Sequence, residues 1–261
     1  MIRTIKHVFS KYLPPSVFFI GRSILTLFDP RRNISVVFKW DQKFWELNPQ
    51  SGKQWLQCSP VPYRWPDESQ ERRNRVERYT LDEFVEIQPD DLVVEVGGFT
   101  GEFTVPASQI ADRIYSFEPD PITADCLRYN LRKQTHVEVV NAAAWNKTGT
   151  MKLLTGGHPS DHSLIGLDSG SVKKEVEIDS TRLDEFAEER GIKSIDFLKL
   201  DAEGGEPEVL EGTEHVDIRK MAIDCTPERN GESTAKQVSE YLSQRGYEIR
   251  SEGNLIFARQ C

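Results

Sequence analysis

Leu-Val-Val-Glu-Val-Gly-Gly-Phe-Thr-Gly, residues 92–101, is the stretch from which the fold can be worked outward. Leu92–Val96 is short, rich in β-branched residues and without a polar side chain before Glu95, the pattern of a strand buried on both faces. Gly97, Gly98 and Gly101 then let the backbone turn tightly and let a ligand approach with no Cβ in the way. A helix is expected over about 102–110, its first N–H groups directed at that ligand. The same alternation continues downstream. Strands are expected at Ile114–Phe117, Val137–Val140, Met151–Leu154, Val176–Ile178, Ile195–Leu200 and 221–224. Helices are expected over about 121–132, 181–189 (capped by Ser180 or Thr181), 206–212 and 233–245. Strands alternating with helices give an α/β, Rossmann-like fold, a mostly parallel sheet covered on both faces. The last two strands, around 247–250 and 254–258, are joined too closely for a crossover and must form an antiparallel hairpin at the sheet edge.

A glycine-rich turn alone suits a dinucleotide and S-adenosyl-L-methionine equally well. Phe117-Glu118-Pro119 ends the second strand, with Glu118 placed 23 residues beyond Glu95, where an acidic side chain accepts hydrogen bonds from ribose hydroxyls. The two ligands differ at the turn. A pyrophosphate favours a strict Gly-x-Gly-x-x-Gly, whereas Gly-Gly-Phe-Thr-Gly preceded by Glu95 suits a cationic amino-acid and sulfonium end. A third element, Asp-Phe-Leu-Lys-Leu-Asp-Ala-Glu-Gly-Gly-Glu (196–206), sets Lys199, Asp201, Glu203 and Glu206 at the mouth of one strand. Four ionisable groups there are costly unless they bind a ligand or pair with one another, and a Lys199–Glu206 pair capping the next helix is the plainer alternative.

These stretches together resemble the FkbM-type methyltransferases of the class I S-adenosylmethionine-dependent fold, over about residues 80–258. The matching segments are Val93–Thr104, Tyr115–Pro121, Val137–Trp145, Ser180–Phe186 and Ile195–Leu210, with Lys-Leu-Asp-Ala-Glu-Gly-Gly-Glu the most specific. The resemblance implies a seven-stranded sheet with an antiparallel last strand. It implies that the loop from Glu95 through Gly97, Gly98 and Gly101 holds the methionine moiety, that Glu118 with Pro119 holds the ribose, that Asn141 and Ala142 sit near the adenine, and that Asp201 faces the methyl group. The chain departs from the family pattern at Glu95, where Asp is usual, at Gly98-Phe99, and at Asp224, where Glu is usual.

Methyl transfer to a hydroxyl needs donor and acceptor aligned and a proton removed. Asp201 and Glu203 are the first candidate bases, then Asp224. His158 and His162 lie in a small-residue loop, 155–171, that suits a lid; either is a base or simply solvated. The expected reaction is O-methylation of a sugar, glycan or small metabolite. A nicotinamide oxidoreductase and a non-catalytic scaffold of the same fold are the alternatives, the former lacking both the Gly-x-Gly-x-x-Gly turn and a Tyr-x-x-x-Lys pair. No metal site is marked by spacing, although the carboxylate cluster has the chemistry to hold a divalent cation.

Composition bounds the rest. The 261 residues suffice for one catalytic domain, expected over 80–261, and an extension over 1–79. A net charge of −9 argues against a nucleic-acid partner. Cys58, Cys126, Cys225 and Cys261 follow neither metal-site nor disulfide spacing, which points to a reducing cytoplasm. Residues 16–28 are apolar, preceded by Arg3, Lys6, His7 and Lys11, and too short to span a bilayer. They read as a helix packed on the catalytic domain or a second subunit, or as a basic amphipathic segment on the cytoplasmic face of a membrane or on a glycosyltransferase. Trp40, Trp45, Trp55 and Trp65 fall in a hairpin region that either lines a sugar site or fills a core. Residues 66–76 are almost wholly polar, a linker or a solvated helix face.

Overall fold

Val93 and Glu95 point to one side of their strand and Val94 and Val96 to the other, and this alternation organises the larger of two units, residues 66–261. The computed structural model describes residues 36–40, 43–48, 55–59, 71–155, 163–165 and 174–261. In the smaller unit, residues 1–65, strands β1 (Val36–Trp40), β2 (Lys43–Asn48) and β3 (Trp55–Ser59) form an antiparallel sheet in that order. Trp40, Trp45 and Trp55 lie in these strands; Trp65 and the apolar segment 16–28 fall outside the described residues.

The first described element of the larger unit is α1 (Glu71–Arg78), so residues 71–76 of the polar stretch expected as a linker or solvated helix face are helical, with Val76 and Tyr79 buried. Strands β4 (Leu92–Val96), β5 (Arg113–Phe117) and β6 (Val137–Val140) run parallel. Between them come α2 (Thr104–Ala107) and α3 (Pro121–Asn130). A small sheet of β7 (Ala143–Ala144), β8 (Gly149–Thr155) and β9 (Lys174–Thr181) follows, β9 lying between the other two. Then come α4 (Leu183–Glu189), β10 (Ser194–Leu200), α5 (Glu206–Glu211), β11 (Asp217–Asp224), α6 (Ala235–Gln244), β12 (Tyr247–Glu252) and β13 (Leu255–Gln260). Among the described residues the main sheet has seven strands in the order β12-β13-β11-β10-β4-β5-β6. Strand β13 is antiparallel to both β11 and β12. The hairpin therefore closes inward: the later strand inserts beside β11 and the earlier one forms the edge. This is the class I methyltransferase topology.

Apolar residues on each face follow the strand period. One face carries Val94, Val96, Leu198, Leu200, Met221 and Ile223, packed with Phe186, Leu210 and Leu242. The other carries Val93, Ile114, Phe197, Ala222 and Phe257, packed with Tyr79, Phe84, Val85 and Phe103. Each Val, Leu, Ile, Met or Phe side chain among these, removed from water, stabilises the fold by about 1.5–3 kcal/mol. Two local expectations change. The helix after the glycine turn has only four residues, because residues 99–103 first complete the turn and Phe103 is its N-cap. Ser180 and Thr181 belong to β9, so Arg182 rather than either hydroxyl precedes α4.

Gly97 marks how closely the turn approaches β10. Its φ is +81°, and a Cβ built there would lie 2.2 Å from the backbone oxygen of Asp201. Gly253 also has a positive φ, +58°, but a Cβ there meets nothing within 4 Å. Gly253→Ala should therefore lose only the left-handed backbone preference, about 1–2 kcal/mol. Gly97→Ala should lose that plus the cost of a clash with backbone, about 3 kcal/mol or more in total. Urea unfolding of both variants measures the difference.

Candidate active site

Parallel register brings the ends of β4 and β10 together, with Lys199 opposite Glu95. Because both residues share the face of Val93 and Phe197, two charged side chains enter an otherwise apolar layer beneath Tyr79 and Phe103. Lys199 is 3% exposed and Glu95 1%. The ammonium donates to the carbonyl of Gly97 at 2.9 Å and lies 3.3 Å from Asp201 Oδ2 and 3.9 Å from Glu95 Oε1. Its Nζ also stands 5.1 Å from the centre of the Tyr79 ring. Lys199 is thus bonded to the glycine turn and not to Glu206, the plainer pairing open from the sequence.

Glu95 was expected to face the donor. Its carboxylate is instead held by the protein: Thr104 Oγ1 and Ser116 Oγ donate to Oε2 at 2.5 and 2.6 Å. Burial pushes its carboxyl above the ordinary range, against the pull of Lys199 and the two hydroxyls. It fixes the turn from beneath. Gly97 and Gly98 both donate their N–H to the Phe117 carbonyl, at 3.1 and 2.9 Å, which ties the turn to β5. Phe99 and Gly101 have φ of +45° and +97°. The buried Thr100 hydroxyl has no hydrogen-bond partner among the described residues. A buried orphan hydroxyl within a turn of bare backbone is a place that a polar ligand completes.

Glu118, at the end of β5, is 7% exposed. The N–H of Phe99 donates to its Oε2 at 2.8 Å and that of Asp120 to its Oε1 at 3.0 Å. Both carboxylate oxygens are therefore fixed, each with a lone pair left. Burial pushes the carboxyl up to about 8, backbone hydrogen bonds opposing it. Asn141 donates to the carbonyls of Glu118 and Pro119 at 2.9 and 3.0 Å, so it braces the segment beside the buried Ala142. A cavity of about 150 Å³ opens beside it, lined by Pro119, Pro121, Asn141, Thr150, Glu177 and Asp179 among others.

Asp201 lies at the mouth of β10, its side chain 29% exposed. Its N–H donates to the Val96 carbonyl at 3.2 Å. Burial raises its pKa, but Lys199, the Tyr79 hydroxyl and Arg78 outweigh burial and hold the carboxyl below the usual range. Glu203 follows at φ +50°, a left-handed conformation at a non-glycine residue. Such residues collect in functional loops, where surrounding structure holds them. The loop is held from within by Glu206, 0% exposed: the N–H groups of Ala202 and Gly204 donate to its Oε1 at 3.1 Å, and Thr234 Oγ1 donates to its Oε2 at 2.7 Å. Arg229, paired with Glu208, also donates to the Gly204 carbonyl. Carboxylate oxygens of Asp201, Glu203 and Glu228 lie within 4.8 Å of one another. That negative lip suits an organic cation, and its oxygens have the chemistry for a divalent one.

Asp224 is engaged on both carboxylate oxygens. Arg78 pairs with its Oδ2, and Thr226 donates to its Oδ1 through both N–H and hydroxyl. His158 and His162 lie outside the described residues; the same loop resumes at Ser163, bridged to Leu154. The residues missed by sequence reasoning are Arg78 and Tyr79, whose hydroxyl donates to Asp201 Oδ2 at 2.8 Å, together with Thr104, Ser116 and Glu228. No spacing marks them, because they meet the motif only through the fold.

With this geometry in place the comparison with known proteins is direct. The sequence matches the methyltransferase FkbM domain over residues 95–249, more than half of the chain. The chain belongs to this family. It is a methyltransferase of FkbM type, and S-adenosyl-L-methionine is its cofactor. The nicotinamide alternative is set aside by that match. The chain is 26% identical over 205 residues to the 31-O-demethyl-FK506 methyltransferase FkbM of Streptomyces tacrolimicus, across 67% of this chain and 79% of that one. It is 23% identical over 142 residues to the 2-O-methyltransferase NoeI of Sinorhizobium fredii, across 48% of this chain and 58% of that one. The crystal structure of methyltransferase FkbM from Methylobacillus flagellatus KT aligns with a TM-score of 0.47 and 18% identity, across 68% of this chain and 45% of that one.

The Glu206 contacts generate a test of the loop. Glu206→Ala removes three hydrogen bonds to a buried carboxylate and should destabilise the protein by about 2–4 kcal/mol. Glu206→Gln keeps an acceptor for the Ala202 and Gly204 N–H groups and should keep most of that stability, as measured by urea unfolding.

Proposed function

We propose that this FkbM-type enzyme methylates a hydroxyl oxygen of a small molecule, either a sugar or glycan unit or a secondary metabolite. The observation that carries this reading is the convergence of carboxylates and bare backbone past the ends of β4, β5 and β10, where Lys199, Arg78 and Arg229 are each paired with a carboxylate. Glu118, with each oxygen fixed by one N–H, accepts the two ribose hydroxyls. Asn141 and Ala142 border the adenine, and the turn through Gly97, Gly98 and Gly101 receives the amino-acid end. S-adenosyl-L-methionine supplies a methyl group on a positively charged sulfur, so the chain has only to align it with the oxygen and take a proton.

Asp201 is held as a carboxylate by Lys199 and Tyr79, which makes it a poor proton acceptor and a good electrostatic partner for a sulfonium. The proton then goes to Glu203 at the lip of the cleft, or to His162 in the loop that leads to Ser163. The two relatives whose names specify an oxygen position, 31-O and 2-O, support an oxygen acceptor. No helix among the described residues is long and apolar enough to cross a membrane.

The acceptor is tested by incubating the protein with methyl-labelled donor and fractionated extract, then treating the labelled product with mild base. A base-stable methyl ether on a hydroxyl is expected; label in an ester or on nitrogen would overturn the oxygen-ether reading. Glu118 supplies a second test. With its carboxyl at about 8 before binding, the group is mostly protonated at neutral pH, whereas the ribose hydroxyls need an acceptor. Donor affinity should therefore rise with pH, approaching tenfold per unit below about 8 and levelling above it. Titration calorimetry should show this slope in the native protein and a flatter one in Glu118→Gln, and Glu118→Ala should abolish the donor-induced rise in Tm.

A further inference from the structure

Tyr79 comes from the segment that precedes the sheet, outside every cofactor motif, yet its hydroxyl reaches Asp201 at the mouth of β10. It is 3% exposed and stands edge-on to Phe103, ring centres 5.7 Å apart. The hydroxyl donates to Asp201 Oδ2 at 2.8 Å and lies 3.5 Å from Asp224 Oδ2. It therefore sits between carboxylates at the ends of two adjacent strands, β10 and β11. Burial first, and then Asp201 and Asp224, drive its pKa far above the ordinary value, so it is a permanent donor and never a base. The same helix end also provides Arg78 to Asp224, and one turn earlier Arg75 pairs with Glu102 beside the glycine turn, at 2.8 Å. Residues 75, 78 and 79 thus present one helical face to the ends of β4, β10 and β11.

The consequence falls on Asp201. Lys199 and Tyr79 both engage Oδ2, from opposite elements, which fixes the plane of the carboxylate. Among the described residues no hydrogen-bond donor engages Oδ1, which leaves that oxygen with both lone pairs for a ligand. Glu95, Asp224, Glu203 and Glu228 add negative charge around it, while Lys199 and Arg78 supply the compensating cations.

We propose that Tyr79 is a positioning residue that, with Lys199, aims Asp201 Oδ1 at the cationic sulfur of the donor and so sets the enzyme's preference for S-adenosylmethionine over its uncharged product, S-adenosylhomocysteine. This rests on the reading above that Asp201 faces the cationic end of the donor. A sulfonium and a thioether occupy nearly the same space and share the nucleoside and amino-acid groups, so only the charge distinguishes them. A carboxylate oxygen held still beside that charge favours the donor; one free to rotate favours it less.

Tyr79→Phe removes the hydroxyl and keeps the ring that packs on Phe103, whereas Tyr79→Leu removes both. Titration calorimetry of each variant with S-adenosylmethionine and with S-adenosylhomocysteine, alongside thermal unfolding, provides the test. Tyr79→Phe should weaken S-adenosylmethionine about tenfold and change S-adenosylhomocysteine by no more than about twofold, with Tm close to native. Tyr79→Leu should show the same change in preference plus a clear loss of Tm. Equal weakening of the two ligands in Tyr79→Phe, or none, would overturn the proposal. If the native protein binds both ligands, that failure is confined to Tyr79; if it binds neither, the reading of the cleft itself fails and the proposal falls with it.

Discussion

A lysine ammonium sealed beneath the glycine turn is the constraint on which the rest of this molecule depends. Taking Lys199 and Glu95 out of water costs several kcal/mol for each ion, and only close partners offset it. The Gly97 carbonyl, Asp201 and Glu95 surround the ammonium, and the Thr104 and Ser116 hydroxyls complete the shell around Glu95. Each of these groups has a second duty. The Gly97 carbonyl belongs to the ligand turn, Asp201 to the mouth of β10, and Ser116 to β5. One buried charge therefore sets the relative positions of three strand ends.

That arrangement also fixes the electrical character of the cleft. Among the described residues the cations near these strand ends are paired: Lys199 with Asp201, Arg78 with Asp224, Arg229 with Glu208. Carboxylate oxygens of Asp201, Glu203 and Glu228 converge within 4.8 Å of one another beside them. A pyrophosphate would meet repulsion there, and a sulfonium would meet attraction.

The sequence made the sheet legible because Leu92–Val96, Ile114–Phe117 and Ile195–Leu200 are apolar runs bounded by turns, and strand period and connection length follow from those alone. Glu118 and Asp201 could be read in the same way, since each ends such a run. Glu95 was legible as important but not as buried, because whether a carboxylate at a strand end faces a ligand or the core depends on which hydroxyls the neighbouring strand brings. Tyr79 and Arg78 were illegible for a different reason. They follow a polar stretch, 66–76, whose composition gives no hint of a site, and Tyr79 meets partners more than 120 positions away, at Asp201 and Asp224. The β13 insertion was half legible: so short a connection dictates an antiparallel pair, but not which member lies outermost.

The bond from Lys199 to the Gly97 carbonyl joins positions 102 apart in the chain. Most of the parallel sheet lies between them, so the cofactor cleft can be assembled only after a long loop has closed. A nucleoside held across β4, β5 and β10 consequently acts as a clasp on the whole central sheet, and by mass action it withdraws molecules from the unfolded pool. For such a protein a methyl donor that binds only the folded chain adds stability that grows with the logarithm of its concentration.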